Sequence, residues 1–319
     1  MKAALVLGVG QTPVYGDFAE PQPEPGEARV TVTAAAMSHV VKGRASGAHY
    51  SAGGQFPLVV GIDGVGTLED GRRVYFLLPR APYGSMAQHA AAPMAHCLAL
   101  PDDLDDATAA AIANPGMSSW AAYAERAKLQ TGETVLVNGA AGTAGRLAVQ
   151  IAKHLGARKV IATARNADSL RDVAALGADV IIPLDEDEAA LEDRFKREFA
   201  EGVDVVVDYL WGKSAERLLI AAAKGGARGA PIRFVQIGSA SGADIALPGA
   251  ALRAAPIVLM GSGIGSVSLE GFARSIGGLL QAAAPGGFKI AYKTVPLSDV
   301  EAAWPNDDSA RRTVFTMEA

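Results

Sequence analysis

The stretch Val135–Gly145, VLVNGAAGTAG, runs a strand of apolar residues into a turn of small residues that opens a helix. Ala140, Gly142 and Gly145 hold the key places, with Ala141, Thr143 and Ala144 between them. This is the spacing of a G-x-G-x-x-G turn, with alanine in the first position. Gly142 would let the backbone approach a pyrophosphate, and Gly145 would let the helix pack tightly on the sheet. The helix start adds free N–H groups and the positive end of a dipole, so the chemistry on offer is anion binding, of a dinucleotide's diphosphate above all. The spacing alone is a weak signal; strand, turn and helix together make it a strong one.

A second set of residues speaks to which dinucleotide. The next strand ends Thr163-Ala164-Arg165-Asn166, and there is no Asp or Glu between Glu133 and Asp168. A carboxylate at the end of this strand is what binds the ribose 2′-hydroxyl of NAD. Its absence removes repulsion of a 2′-phosphate, and the Arg165 guanidinium can pair with that phosphate through charge-assisted hydrogen bonds. Thr163, Arg165 and Asn166 are therefore cofactor-contact candidates, and the cofactor expected is NADPH.

These residues need a particular scaffold. From residue 134 onward strands and helices alternate: strands at 134–138, 159–163, 180–183, 203–208 and 232–237, with helices at 143–155, 167–176, 186–200 and 212–223 between them. Such alternation implies an α/β fold with a doubly wound parallel sheet. Val203–Asp208 is almost entirely apolar, as a strand buried on both faces is. Before residue 105 the chain reads as β-rich, with strands at Lys2–Gly8, Glu27–Ala36, Leu58–Leu68 and Arg72–Leu78. Two helices, Asp105–Ala113 and Met117–Lys128, are expected on either side of Pro115-Gly116. The tail, with a strand at 257–261, a helix at 268–284 and strands at 292–296 and 313–317, does not continue the repeat and can return to the first domain.

Composition narrows the function classes. Of 319 residues, 50% are hydrophobic and 20% charged, with a net charge of −5, which argues against a general nucleic-acid binder. No run of about 20 uncharged apolar residues marks a membrane span. Cys97 is the single cysteine, so neither an intrachain disulfide framework nor a multi-cysteine metal site is available, and a reducing cytoplasm fits. The 5 histidines have no metal-ligand spacing, and His96-Cys97 are neighbours whose side chains point to opposite faces of a strand, so no metal is expected.

Together GAAGTAGRLAVQIAKHLGA (139–157), ALGAD (175–179) and VDVVVD (203–208) resemble the medium-chain dehydrogenase/reductase superfamily, and within it the zinc-free quinone oxidoreductase and enoyl reductase branch. SGAHY (46–50), VVGIDGVGTL (59–68), GSMAQH (84–89), VQIGSASG (235–242) and VPLSDVEAAW (295–304) extend the likeness over nearly the whole chain. The resemblance implies a Rossmann dinucleotide-binding domain over 115–258. It also implies a GroES-like β-rich catalytic domain over 1–114, completed by 259–319, with the active cleft between the two. Zinc members carry a first-loop Cys and a G-H-E motif; here stand Met37-Ser38 and Gly61-Ile62-Asp63.

By the same resemblance Tyr50 is the candidate proton donor, His49 its fallback, and Ser38 a hydrogen-bond donor where many relatives have Asn. Gly238-Ser239 and Ser262-Gly263 would lie along the nicotinamide side. Hydride would reach the β carbon of a quinone or α,β-unsaturated carbonyl compound, and donors near the carbonyl oxygen would stabilise the charge that develops. Two other readings stay open. One is a metal-free NADPH-linked oxidoreductase of simple carbonyls or alcohols; the other is a cofactor-binding sensor or structural protein with little catalysis. Relatives often form homodimers by pairing a strand near Ile257–Gly261, so a homodimer is expected.

Overall fold

Alternating burial along Glu27–Ala36 shows how the first sheet is built, since its even-numbered residues Ala28 to Ala36 all turn inward. The computed structural model describes residues 1–47, 56–165, 168–226, 231–306 and 311–317. The chain forms two compact units, Met1–Asn114 with Leu280–Ala319, and Pro115–Leu279.

In chain order the first unit contributes β1 (Lys2–Val6), β2 (Val14–Asp17), β3 (Glu27–Ala36), α1 (His39–Ala45), β4 (Leu58–Val59), β5 (Asp63–Leu68), β6 (Arg73–Leu77), β7 (His89–Pro93) and β8 (Cys97–Ala99). Helix α2 (Asp106–Ala121) leads into the second unit. There follow β9 (Thr134–Asn138), α3 (Thr143–His154), β10 (Lys159–Ala164), α4 (Asp168–Ala175), β11 (Val180–Pro183), α5 (Glu188–Glu201), β12 (Val205–Asp208), α6 (Gly212–Gly225), β13 (Ile232–Gln236), α7 (Gly249–Ala254), β14 (Ile257–Gly261) and α8 (Leu269–Ala283). The chain ends with β15 (Tyr292–Pro296), α9 (Val300–Ala303) and β16 (Arg312–Thr316) in the first unit.

The second unit has a six-stranded sheet in the order β11-β10-β9-β12-β13-β14, every pair parallel. This is the 3-2-1-4-5-6 order of a doubly wound nucleotide-binding sheet, as the alternation predicts. Leu136, Ile161, Val206 and Phe234 face a core shared with Phe195 and Phe199 of α5 and Leu218 of α6. Val135, Val137, Val205 and Val207 alternate with them and are equally buried, so both faces of the sheet are covered.

The first unit has a seven-stranded sheet, with six strands in the order β15-β16-β3-β5-β6-β8 and β7 paired to β3 off that path. A smaller sheet joins β2, β1 and β4. β16 runs antiparallel to β3, so the C-terminal residues complete the sheet begun at Glu27.

The structure corrects three expectations. The nucleotide unit does not end at 258: β14 pairs in parallel with β13 from Ile257 to Gly261, and the unit continues to Leu279. Pro115-Gly116 does not separate two helices, because α2 passes straight through Pro115. An interior proline costs about 3 kcal/mol; here the fully buried run Ala109–Ala113 anchors the helix, and Leu279 packs so closely on Gly116 that a Cβ would lie 2.6 Å from it. Leu58–Leu68 is two strands, broken at Gly61, whose φ of +104° and Cβ position 2.2 Å from Ser85 Oγ admit only glycine.

Candidate cofactor site

The glycine-rich turn is held from below by β10. Gly139 N–H and Ala140 N–H both donate to the Thr163 carbonyl, at 3.2 and 2.7 Å. α3 then begins at Thr143 with Gly142 as its N-cap, a residue with no side chain to cap the first N–H groups. Gly142 is exposed, and a Cβ there would meet nothing within 4 Å. Uncapped amides beside an open glycine are what a diphosphate requires. Gly145 does the opposite work: a Cβ would fall 2.2 Å from the Gly139 carbonyl oxygen, so its missing side chain is what lets α3 close on the turn. Arg146 steadies the loop from behind, with Nε donating to the Ala141 carbonyl at 2.9 Å and Nη2 pairing with Asp172 at 3.3 Å.

The expected contacts divide on burial. Ala141, Gly142, Thr143 and Ala144 remain at least partly accessible at the turn, and Arg165 is exposed at the end of β10. Ala140 and Thr163 are fully buried at the turn. The Ala140 N–H is already used by the Thr163 carbonyl, and Thr163 Oγ1 donates to Asn138 Oδ1 at 2.6 Å. Both residues shape the turn. Asn166 lies outside the described residues.

Gly238 follows β13, with its N–H donated to the Asp208 carbonyl at 3.1 Å; a Cβ would come within 2.8 Å of the Tyr209 carbonyl oxygen. Ser239 is exposed beside it. Ser262 is buried and donates its N–H to the Gln236 carbonyl at 2.8 Å, while Gly263 is tied to Ser266 Oγ at 2.8 Å. All four sit beyond the C-terminal ends of β13 and β14, the edge at which open α/β sheets take ligands.

Tyr209 and Trp211 follow β12. The Tyr209 hydroxyl, pushed up to about 12 by burial against the pull of its Ser119 and Ser118 hydrogen bonds, lies 2.8 Å from Ser119 Oγ. Trp211 packs against the hydrophobic core of the unit. Sequence reasoning passed over Asn138 and Asp208, buried partners at the ends of β9 and β12, although a polar residue closing an apolar strand was a visible signal.

In the first unit Ser38 is the N-cap of α1, where Oγ accepts the Val41 N–H at 3.1 Å. That use of the oxygen leaves its hydroxyl proton available to donate. Tyr50 and His49 lie outside the described residues. Asp63, in the place of the G-H-E glutamate, is buried and accepts the Tyr75 hydroxyl at 2.7 Å. Burial pushes its carboxyl up, while the charge of Arg312 and the Tyr75 hydrogen bond draw it down. Among the described residues, no three His, Cys, Asp or Glu side chains stand together as a metal site.

The zinc-binding dehydrogenase family model matches residues 144–275. A protein of Emericella nidulans named a probable NADPH-dependent quinone reductase is 30% identical over 354 aligned residues, covering 97% of this chain and 98% of that protein. The chain belongs to the medium-chain dehydrogenase/reductase superfamily, in its quinone oxidoreductase branch. The superfamily's architecture agrees. The quinone oxidoreductase of Thermus thermophilus, solved alone and with NADPH, matches with a TM-score of 0.81 at 28% identity over 99% of this chain and 100% of that one. A 2-haloacrylate reductase of Burkholderia is 30% identical over 67% of this chain and 70% of its own length. The superfamily turn makes one prediction here. Gly145→Ala should push α3 off the turn, destabilising the fold by about 1–3 kcal/mol and weakening dinucleotide binding. Urea denaturation and nucleotide fluorescence titration check both effects; unchanged values would show that the turn has slack.

Proposed function

We propose that the chain is a zinc-independent, NADPH-dependent reductase that delivers hydride to a quinone or an α,β-unsaturated carbonyl compound. The observation that carries it is the pairing of an uncapped glycine-rich turn with an exposed Arg165 and no carboxylate along β10. The residues fit the dinucleotide: Gly142 and the first-turn amides of α3 would hold the diphosphate, Arg165 the 2′-phosphate, and Gly238, Ser239, Ser262 and Gly263 the nicotinamide side. Bound NADPH supplies the hydride. The chain's own tasks are to orient it, exclude water and place a proton donor at the substrate oxygen or α carbon. Tyr50 is the donor proposed from the sequence, with Ser38 and His49 as further donors.

The names of the relatives support this reading, since quinone reduction and reduction of a haloacrylate are both additions to a conjugated system. The test is turnover of NADPH with 1,4-benzoquinone, a short enone and a simple ketone by metal-free protein. Oxidation of NADPH with the first two and not the third is expected. A strict need for added zinc, or activity on the ketone alone, would overturn it. A reducing cytoplasm is the setting that a lone Cys97 suits; among the described residues no helix is long and apolar enough to cross a membrane.

A homodimer is part of the same reading. β14 ends the parallel sheet with one edge unpaired among the described strands, and Val258 and Leu259 are 44% and 39% exposed on it. An apolar edge strand is a template for a second copy. Gel filtration with light scattering should give twice the chain mass, and Leu259→Lys should reduce it towards the monomer; a monomeric parent chain would reject the pairing.

A further inference from the structure

The strand order of the parallel sheet reverses beside β9, where β10 lies on one side and β12 on the other. Such a reversal is where a dinucleotide crosses an open α/β sheet. Asn138 and Asp208 close the two strands there as register partners, and both are fully buried. Asn138 Nδ2 donates to Asp208 Oδ1 at 2.8 Å and to Ser214 Oγ at 2.9 Å. Its Oδ1 accepts the Thr163 hydroxyl at 2.6 Å, and Thr163 Oγ1 accepts the Gly139 N–H at 3.2 Å. The Asp208 carboxylate also accepts the N–H of Leu210 at 2.9 Å and of Trp211 at 3.1 and 3.2 Å. Its main-chain carbonyl accepts the N–H groups of Ile237 and Gly238, at 2.8 and 3.1 Å.

The amide and the carboxylate thus touch the end of β10 and the β12–α6 turn directly and reach the glycine-rich turn through Thr163, while the Asp208 main chain holds the loop after β13. The sheet does not need them for cohesion. Every other residue of β12 is valine, and an apolar pair would avoid desolvating a charge. What the network provides is geometry. It holds Trp211 at a φ of +58° and a ψ of −153°, a conformation that a bulky residue keeps only when its surroundings impose it.

We propose that Asn138 and Asp208 are the positioning pair for the cofactor loops, setting the affinity for both nicotinamide dinucleotides without touching either. The inference rests on the dinucleotide reading above. It differs from the part given to Arg165, which separates NADPH from NADH.

Adding a second charge to the pair tests it. Asn138→Asp removes the amide donor and sets two carboxylates side by side. NADPH and NADH should both bind about tenfold or more weakly, by the same factor, in titrations of protein shown to be folded by circular dichroism. The exchange N138D/D208N restores one amide and one carboxylate. The carboxylate then at position 138 can still accept from Thr163. The amide then at position 208 can donate to that carboxylate while accepting from Leu210 and Trp211. Both affinities should return to within about threefold of the parent chain. If Asn138→Asp does not fold, Asn138→Ala is measured in its place, with the same equal loss expected. A folded single variant with parental affinities, a loss confined to NADPH, or an exchange that restores the fold but not the affinities would each overturn the proposal. A parent chain that binds neither nucleotide would instead overturn the dinucleotide reading beneath it.

Discussion

Arg165→Ala is expected to weaken NADPH binding by roughly 10- to 100-fold, about 1.5–3 kcal/mol, and to leave NADH binding nearly unchanged. Arg165 stands exposed at the end of β10, two residues beyond Thr163, whose carbonyl anchors the glycine-rich turn. No carboxylate lies between Glu133 and Asp168 to compete for it or to repel a phosphate. The two nucleotides differ only in the phosphate, so the ratio of their dissociation constants isolates this contact. Equal losses for both would show that Arg165 supports the loop rather than the phosphate. Added salt should narrow the preference of the parent chain, because an exposed ion pair is screened.

The second large effect concerns stability. Asp63→Ala should destabilise the fold by about 1–3 kcal/mol, because it strips the buried Tyr75 hydroxyl of its acceptor. Asp63→Asn keeps an acceptor for Tyr75 and should lose less. The pH dependence has a definite sign. Burial raises the Asp63 carboxyl above its ordinary 3.8, so the folded chain binds this proton more tightly than the unfolded chain. Stability contributed by Asp63 therefore falls as pH rises from the ordinary carboxylate value through the raised one. Denaturation of the parent and Asp63→Asn chains across that range should show the parent losing ground to the variant with rising pH. A constant difference would mean that Asp63 does not titrate there.

Much of the cofactor domain could be read from the residues in order. β9, β11 and β14 run between the residues expected of them, since their apolar character and flanking turns are local properties. The first domain was less legible. β7 is HAAAP, with no β-branched residue, and is a strand only because β3 offers it a partner. β2 and β8 were missed for the same reason, being short and defined by pairing.

The sequence by itself determined the parallel sheet, the small-residue turn and the missing carboxylate, because hydrophobic period, lack of a side chain and lack of charge are local facts. Only tertiary structure decided which of the expected residues face outward and which lie beneath. Thr163 and Ala140 went inward, and Asn138 joined Asp208 across 70 positions of chain. Burial and hydrogen-bond partnership are relations between strands distant in sequence, and no single segment carries them.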